Sequence, residues 1–355
     1  MAGDLVLLSG GTGMIGFRVL VQLLETGYQV CAAVRTTAGF EKIKALKPAA
    51  PYSAQLTHVV VPDITVPGAY DDAVKGVKYV VHVASPLDVN LPDDIDYETQ
   101  LIQPAVMGTV GMLESANKAS GIDRIVITGS VLSIIGFSDI GSKESLDETR
   151  RSAVSEGPFP MKMAAYAASK ARALKHTYDW IAKNKPSFDV INILPVFVLG
   201  RDDTVTDPSR ITKGTNGLIM APLLGHSLEP APGIAVHVAD VALMHVKALD
   251  RSVPGNQDFL ASSHHPTGIE WAQVKEIVKK RYPKECTEGI FTVNYTENPQ
   301  TLPITISAAK AENVFGFTFK SFEDQVVSIV DHYLELVGRT RSGMAELSGE
   351  RNSDH

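Results

Sequence analysis

Tyr166-Ala167-Ala168-Ser169-Lys170 sets a tyrosine and a lysine four residues apart, on one face of a helix. A phenol is a weak acid, with an ordinary pKa of about 10. A lysine ammonium one turn away, with a nicotinamide cation nearby, favours the phenolate and lowers that value. An earlier apolar run ends Thr128-Gly129-Ser130, which puts a hydroxyl at the carboxyl edge of a strand, where ligands of open α/β sheets bind. Ser130 there can fix a carbonyl oxygen. The set predicts carbonyl reduction or its reverse, with Tyr166 as the acid/base and no metal ion. Spacing alone says little in a chain with 10 tyrosines. The pair's place at the head of an Ala-rich helix carries the reading, because small side chains let a cofactor lie close.

A cofactor for such chemistry is written at the chain start. Leu5–Ser9 runs into Gly10-Gly11-Thr12-Gly13-Met14-Ile15-Gly16 and then a helix-period segment. The turn fits a dinucleotide fingerprint as Gly11-x-Gly13-x-x-Gly16, or a close variant as Gly10-x-x-Gly13-x-x-Gly16. Glycines permit the tight turn and close backbone approach to a pyrophosphate, and the helix N-terminus supplies free N–H groups and a positive dipole end. The second strand chooses the nucleotide. An acid at its end would hold the ribose hydroxyls of NAD, but Ala32-Ala33-Val34-Arg35-Thr36-Thr37 has no acid before Glu41. Arg35 offers a bidentate guanidinium to a 2′-phosphate, with the two threonine hydroxyls as added donors, so NADPH is the expected cofactor. Lys42 reads as a solvated helix lysine that can help from the next turn.

Short runs rich in Val and Ile recur at 5–9, 29–34, 57–61, 79–83, 124–128 and 189–194, as strands buried on both faces of a parallel sheet do. Helix-period segments alternate with them at 14–26, 69–76, 97–120 and 163–184, with a weaker one at 40–47. The fold class expected is α/β: a Rossmann-type doubly wound parallel sheet with a smaller C-terminal substrate-binding lobe. The NADP-binding domain spans 1–200, its sheet completed by later segments, and the lobe spans 201–338. Residues 201–235, with Pro208, Pro222, Pro230 and Pro232, read as loop and short helix. A strand at 256–261 and helices at 268–281, 305–314 and 322–337 follow. From 339 to 355 the chain is polar and without period, a flexible tail.

The 355 residues carry 33 basic and 40 acidic side chains, a net charge of −7, with no basic cluster, which argues against a nucleic-acid surface. With 44% hydrophobic and 21% charged residues the chain can bury a core and is neither disordered nor collagen-like. Cys31 and Cys286 make neither a disulfide framework nor a zinc set, and Cys31 reads as a small apolar side chain inside the second strand. The N-terminus lacks a basic segment before its short apolar run, and no apolar stretch is long enough to span a bilayer. A cytoplasmic monomer or homodimer acting on a small-molecule carbonyl substrate is expected, with no nucleic-acid or membrane partner.

Together these motifs resemble the extended short-chain dehydrogenases/reductases. Further segments narrow the resemblance: Asp63-Ile64, Val81-His82-Val83-Ala84-Ser85-Pro86, Pro104-Ala105-Val106-Met107-Gly108-Thr109, Leu194-Pro195-x-x-Val198-x-Gly200 and Val236-His237-Val238-Ala239-Asp240. They look like those of fungal NADPH-dependent aldehyde, methylglyoxal and ketone reductases, relatives of plant dihydroflavonol and cinnamoyl-CoA reductases. The resemblance covers residues 4–338. It implies hydride transfer from NADPH to a carbonyl carbon, with Ser130, Tyr166 and Lys170 as the catalytic triad and Lys170 also on the nicotinamide ribose. It also implies that Asp63 and Ile64 flank the adenine and that Val83, Ala84 and Ser85 line the pyrophosphate–ribose path. Pro195 with Val198 would seat the nicotinamide, and Arg35 matches the family's 2′-phosphate arginine.

Two positions depart from the family's pattern. Met107 stands where many members carry an Asn that serves proton relay. Gly129 replaces the commoner Ser, which leaves Ser133, one turn on, as the fallback for Ser130. Dehydratases of the family need a second acid/base pair beside the serine; Val131 and Leu132 stand there, which favours simple hydride transfer. Other extended short-chain dehydrogenase chemistry, as hydroxysteroid dehydrogenase or nucleotide-sugar epimerase, is the alternative. A non-catalytic dinucleotide sensor is a more distant one, since such proteins usually lose the Tyr-x-x-x-Lys pair.

The substrate pocket is expected from 86–97, 131–162 and 201–226, with Leu132, Ile135, Phe137, Phe159, Met163, Phe197, Leu218 and Met220 as apolar candidates. Fixed charge is scarce there apart from Arg201, Arg210 and Lys213, which predicts an apolar or aromatic carbonyl compound. His264-His265 read as loop histidines, with no carboxylate or Cys at metal spacing. Asp93-Asp94-Ile95-Asp96 read as a cap for the helix from 97, and His237 and Asp240 as structural.

Overall fold

The computed structural model describes residues 3–86, 95–142, 144–294 and 300–339. Its strands are β1 (Leu5–Ser9), β2 (Gln29–Val34), β3 (Leu56–Val60), β4 (Tyr79–His82), β5 (Arg124–Thr128), β6 (Asp189–Pro195), β7 (Phe197–Leu199), β8 (Ala231–Pro232), β9 (Ala235–His237), β10 (Gln257–Ala261) and β11 (Thr301–Leu302). Seven of them form one parallel sheet ordered β10-β6-β5-β4-β1-β2-β3, while β7 pairs with β9 and β8 with β11. This is the doubly wound sheet expected, and β10 supplies its last strand from the second half of the chain. Val6, Leu7 and Leu8 on β1 and Val80 and Val81 on β4 are all fully buried, so both faces of the sheet are covered. The strand order reverses between β1 and β4, the switch point outside which ligands of such sheets bind. There the register sets Ser9 beside His82.

The helices are α1 (Met14–Glu25), α2 (Thr37–Ala45), α3 (Gln103–Lys118), α4 (Lys162–Asn184), α5 (Gly217–Leu223), α6 (Val238–Lys247), α7 (Gln273–Arg281), α8 (Pro283–Thr287), α9 (Ala309–Phe315) and α10 (Phe322–Leu336). α1 buries Phe17, Leu20, Val21 and Leu24, the spacing of one helical face. α2 begins before the expected 40–47 because Thr36 Oγ1 accepts the Gly39 N–H at 3.1 Å and caps it. A smaller core around Trp271, Met220 and Phe322 unites α5, α7 and α10 beyond the sheet. No helix among the described residues is long and apolar enough to cross a membrane.

Several expected elements come out differently. Residues 69–76 form turns rather than a helix, since Gly68 and Gly76 bracket them with φ of +76° and +73°. The helix expected from 97 opens with a π turn, Glu98–Ile102, before α3. Pro104 lacks the N–H that would bond one turn back, and the backbone widens just ahead of it. The helix expected at 268–281 starts only at Gln273, behind Gly268 with φ +74°. Sequence reading missed α6: Val236–Asp240 is the end of β9 running straight into a helix, whose N-terminus His237 caps by accepting the Ala239 N–H at 3.0 Å. Asp240 accepts the Lys320 N–H at 2.8 Å, a structural contact.

His264 accepts the Phe322 N–H at 2.6 Å, and His265 lies 3.1 Å from Glu312, so the loop pair clasps α9 and α10. Asp96 accepts the Glu98 N–H at 3.0 Å as a cap, while Asp93, Asp94 and the tail from 340 lie outside the described residues.

Candidate active site

The carboxyl ends of the sheet strands open on a cleft of about 1110 Å³. Gly10, Thr12, Gly13, Met14, Ile15 and Gly16 line it from the turn after β1, Arg35 from the end of β2, and Asp63 and Ile64 from beyond β3. Val83, Ala84 and Ser85 follow β4, Ser130 follows β5, Tyr166 and Lys170 project from α4, and Pro195 and Val198 come from β6 and β7. These residues therefore face one space, whereas Gly11 and the two expected threonine donors, Thr36 and Thr37, are not among its lining, Thr36 being the cap of α2.

The turn is built for an anion. A Cβ on Gly16 would lie 2.0 Å from the Gly10 carbonyl oxygen, so only glycine lets α1 start this close to β1. Gly13, the N-cap of α1, offers no side-chain cap, and the first N–H groups of the helix stay available to a phosphate. This geometry fits a dinucleotide pyrophosphate. Arg35 is exposed and makes no ion pair among the described residues, and Lys42 joins it on the cleft wall. Asp63 accepts both the N–H and the hydroxyl of Thr65, at 2.8 and 2.7 Å, which holds its carboxyl below the usual range.

α4 brings the reactive groups. Its buried Ala165 and Ala168 pack on Tyr97, Leu101 and Ile102, close enough to set Tyr166 and Lys170 against the strand ends. Lys170 is 9% exposed, and its ammonium donates to Ser85 Oγ at 3.0 Å and sits 5.4 Å from the centroid of the Tyr166 ring. Ser130 Oγ accepts the Leu132 N–H at 3.2 Å, so its own proton is free for the cleft. Ser133 is buried and donates to the Lys170 carbonyl oxygen at 3.2 Å, and it does not line the cleft. Gly129 has a steric reason: a Cβ there would lie 2.5 Å from Leu194 Cδ2, a side chain fully buried in the core. Met107 is 42% exposed on α3 and is absent from the lining.

The substrate wall differs from expectation. None of the eight apolar candidates is among the described residues lining the cleft. Ile135 and Met220 are core, Phe197 packs near Trp271, and Phe137 and Met163 are exposed elsewhere. The distal wall is mostly polar instead: Asp202, Thr204, Arg210, Lys213, Thr215 and Asn216, with Val205 and Ile211 as its apolar members, all from the loop after β7. Asn216 staples that loop in place, donating to the Gly200 carbonyl oxygen at 2.7 Å and accepting the Gly200 N–H at 3.1 Å. The Thr215 hydroxyl donates to the Val198 carbonyl. Arg201, expected with Arg210 and Lys213 as a charge of the pocket, is held by Asp203 and Glu335 and is not among the cleft lining.

The model of the NAD dependent epimerase/dehydratase family matches residues 6–260. The chain belongs to that family. Among epimerase/dehydratase relatives, the ketoreductase CTB6 of Cercospora nicotianae is 36% identical over 345 residues, which cover 95% of this chain and 96% of that protein. A putative NADPH-dependent methylglyoxal reductase, GRP2 of Candida albicans, is 30% identical and covers 92% of this chain and 98% of its own. The crystal structure of Gre2 from Candida albicans in complex with NADPH has a TM-score of 0.81 at 26% identity, covering 94% of this chain and 99% of that one. These relatives bear out the resemblance to extended short-chain reductases.

Proposed function

We propose that the protein is an NADPH-dependent carbonyl reductase that converts an aldehyde or ketone to an alcohol. The observation that carries this reading is the convergence of Ser130, Tyr166 and Lys170 on the cleft that the glycine turn also lines. The substrate's carbonyl oxygen accepts from the Ser130 hydroxyl, whose proton the Leu132 contact leaves free, and from the Tyr166 hydroxyl. Tyr166 yields its proton as that oxygen becomes an alcohol. The Lys170 ammonium, held by Ser85, stabilises the negative charge left on the phenolate. NADPH, when bound, supplies the hydride to the carbonyl carbon. Gly10, Thr12, Gly13, Met14, Ile15 and Gly16 would hold its pyrophosphate, Arg35 its 2′-phosphate, and Asp63 and Ile64 its adenine. Val83, Ala84 and Ser85 would follow its path, with Lys170 on the nicotinamide ribose and Pro195 and Val198 against the nicotinamide. Relatives named as a ketoreductase and as an NADPH-dependent reductase support this reading. We place the protein in the cytoplasm.

The polar distal wall and the family's breadth favour a second reading, chemistry on a nucleotide sugar. Val131 and Leu132, beside Ser130, bring no second acid/base pair and argue for hydride transfer alone. The test is NADPH oxidation with aldehydes, aryl ketones and 2-oxoaldehydes, beside product analysis of a nucleotide sugar incubated with the protein and NADP+, since epimerisation and dehydration leave no net change in the cofactor. Faster turnover of the nucleotide sugar would sink the carbonyl-reductase reading.

The same assay tests the cofactor. Arg35→Ala is expected to lower kcat/KM for NADPH by about 10- to 100-fold, the worth of a charge-assisted contact. NADH, which has no 2′-phosphate, should change less than about 3-fold, because Arg35 then contributes little binding energy. Equal losses with both cofactors would remove Arg35 from phosphate recognition.

A further inference from the structure

Beside the cleft, and sharing Ser85, Thr128 and Lys170 with it, lies a small internal cavity of about 20 Å³. That is room for one water molecule. Four of its lining hydroxyls have already spent their protons, while Ser85, which accepts from Lys170 at 3.0 Å, keeps its own. Thr109 donates to the Ala105 carbonyl at 3.0 Å, Thr177 to the Ala173 carbonyl at 2.9 Å, and Ser133 to the Lys170 carbonyl at 3.2 Å. Thr128 is settled by its partner. His245 Nδ1 lies 2.7 Å from the Val241 carbonyl, which only accepts, so that nitrogen carries the hydrogen. His245 Nε2 is then a lone pair, and Thr128 Oγ1 donates to it at 2.7 Å.

His82 completes the wall and is the exception. It is 1% exposed, its Nδ1 lies 2.7 Å from Ser9 Oγ, and its Nε2 has no hydrogen-bond partner among the described residues. An unpaired buried nitrogen is costly, and an apolar occupant would leave it so. Water both donates and accepts, so it suits a wall of hydroxyls, the Asn192 amide, one imidazole nitrogen and a neighbouring ammonium.

We propose that one ordered water occupies this cavity on His82 Nε2, and that through it His82 is a positioning residue for the Lys170 ammonium. The inference rests on the reading of Lys170 and Tyr166 given above. Ser85 fixes one N–H of the ammonium at 3.0 Å, and the water fixes a second. Burial, with the Lys170 charge adding to it, pushes the His82 imidazole down to about 4, so no second cation competes with Lys170.

A crystal structure of the wild-type protein should show a water within about 3.2 Å of His82 Nε2. His82→Leu should lower kcat about tenfold while KM for NADPH changes less than about twofold, as loss of a supporting contact does. His82→Gln, whose amide nitrogen reaches the same place, should recover kcat to within about threefold of wild type. Absence of the water, an unchanged kcat in folded His82→Leu, or failure of folded His82→Gln to recover overturns the proposal. If His82→Leu does not fold, the water and the Gln variant decide. An inactive Tyr166→Phe beside a fully active His82→Leu would sink this inference alone; an active Tyr166→Phe would sink the reading beneath it.

Discussion

Tyr166→Phe should keep NADPH binding and lower kcat by about 10³-fold, in the range that a positioned general acid supplies. Phenylalanine preserves the ring, its packing against Tyr97 and Ala165, and its 5.4 Å approach to the Lys170 ammonium. Only the hydroxyl goes. The cofactor contacts proposed for the glycine turn, Arg35 and Asp63 come from other elements and are untouched. The loss should therefore fall on kcat, with KM for NADPH nearly constant, as expected for an interaction made chiefly in the transition state. Steady-state rates with NADPH titration separate the two. Wild-type turnover in a folded Tyr166→Phe protein would remove Tyr166 from the chemistry, and Ser130 would lose its proposed partner.

Residues that act at the cofactor end were legible because each motif is contiguous and sits at a strand end. The glycine turn, Arg35 and the Tyr166–Lys170 pair need only the right neighbouring element to reach the cleft, and alternating apolar runs reveal that element. The place of the polar wall within 201–226 and two of its charges, Arg210 and Lys213, were legible, but its generally polar character was not. Its residues come from a loop without periodicity, held by Asn216 to a backbone amide and carbonyl sixteen positions away, and side-chain-to-backbone staples leave no pattern in sequence. Apolar residues of the same region misled for a related reason. Met220 and Phe197 are taken up by the second core around Trp271, whose existence shows only when α5, α7 and α10 are brought together. α6 was hidden because β9 and the helix share one apolar run, and the change of period falls at His237.

Lowering the pH should unfold the protein well before its carboxylates are exhausted. His82, His237 and His245 are buried, and burial is the leading cause that pushes each imidazole down to about 4. Two of them work through a lone pair that protonation would destroy: His237 caps α6, and His245 accepts from Thr128. In the unfolded chain each takes up its proton near about pH 6.5. Between there and about pH 4 the unfolded state binds more protons, so stability falls with pH by about 3 kcal/mol per histidine. Asp240 works in the opposite sense. Burial raises its carboxyl to about 6, the folded state takes up that proton first, and about 3 kcal/mol is regained. A net loss of about 6 kcal/mol is comparable with the entire stability of many domains. Urea midpoints at constant ionic strength should therefore drop steeply from about pH 6.5 downward, while stability above that value stays level. Midpoints that hold constant to about pH 5 would mean that these imidazoles are protonated in the folded protein, and the tautomer assigned to His245, with the hydroxyl direction of Thr128 that depends on it, would fail with them.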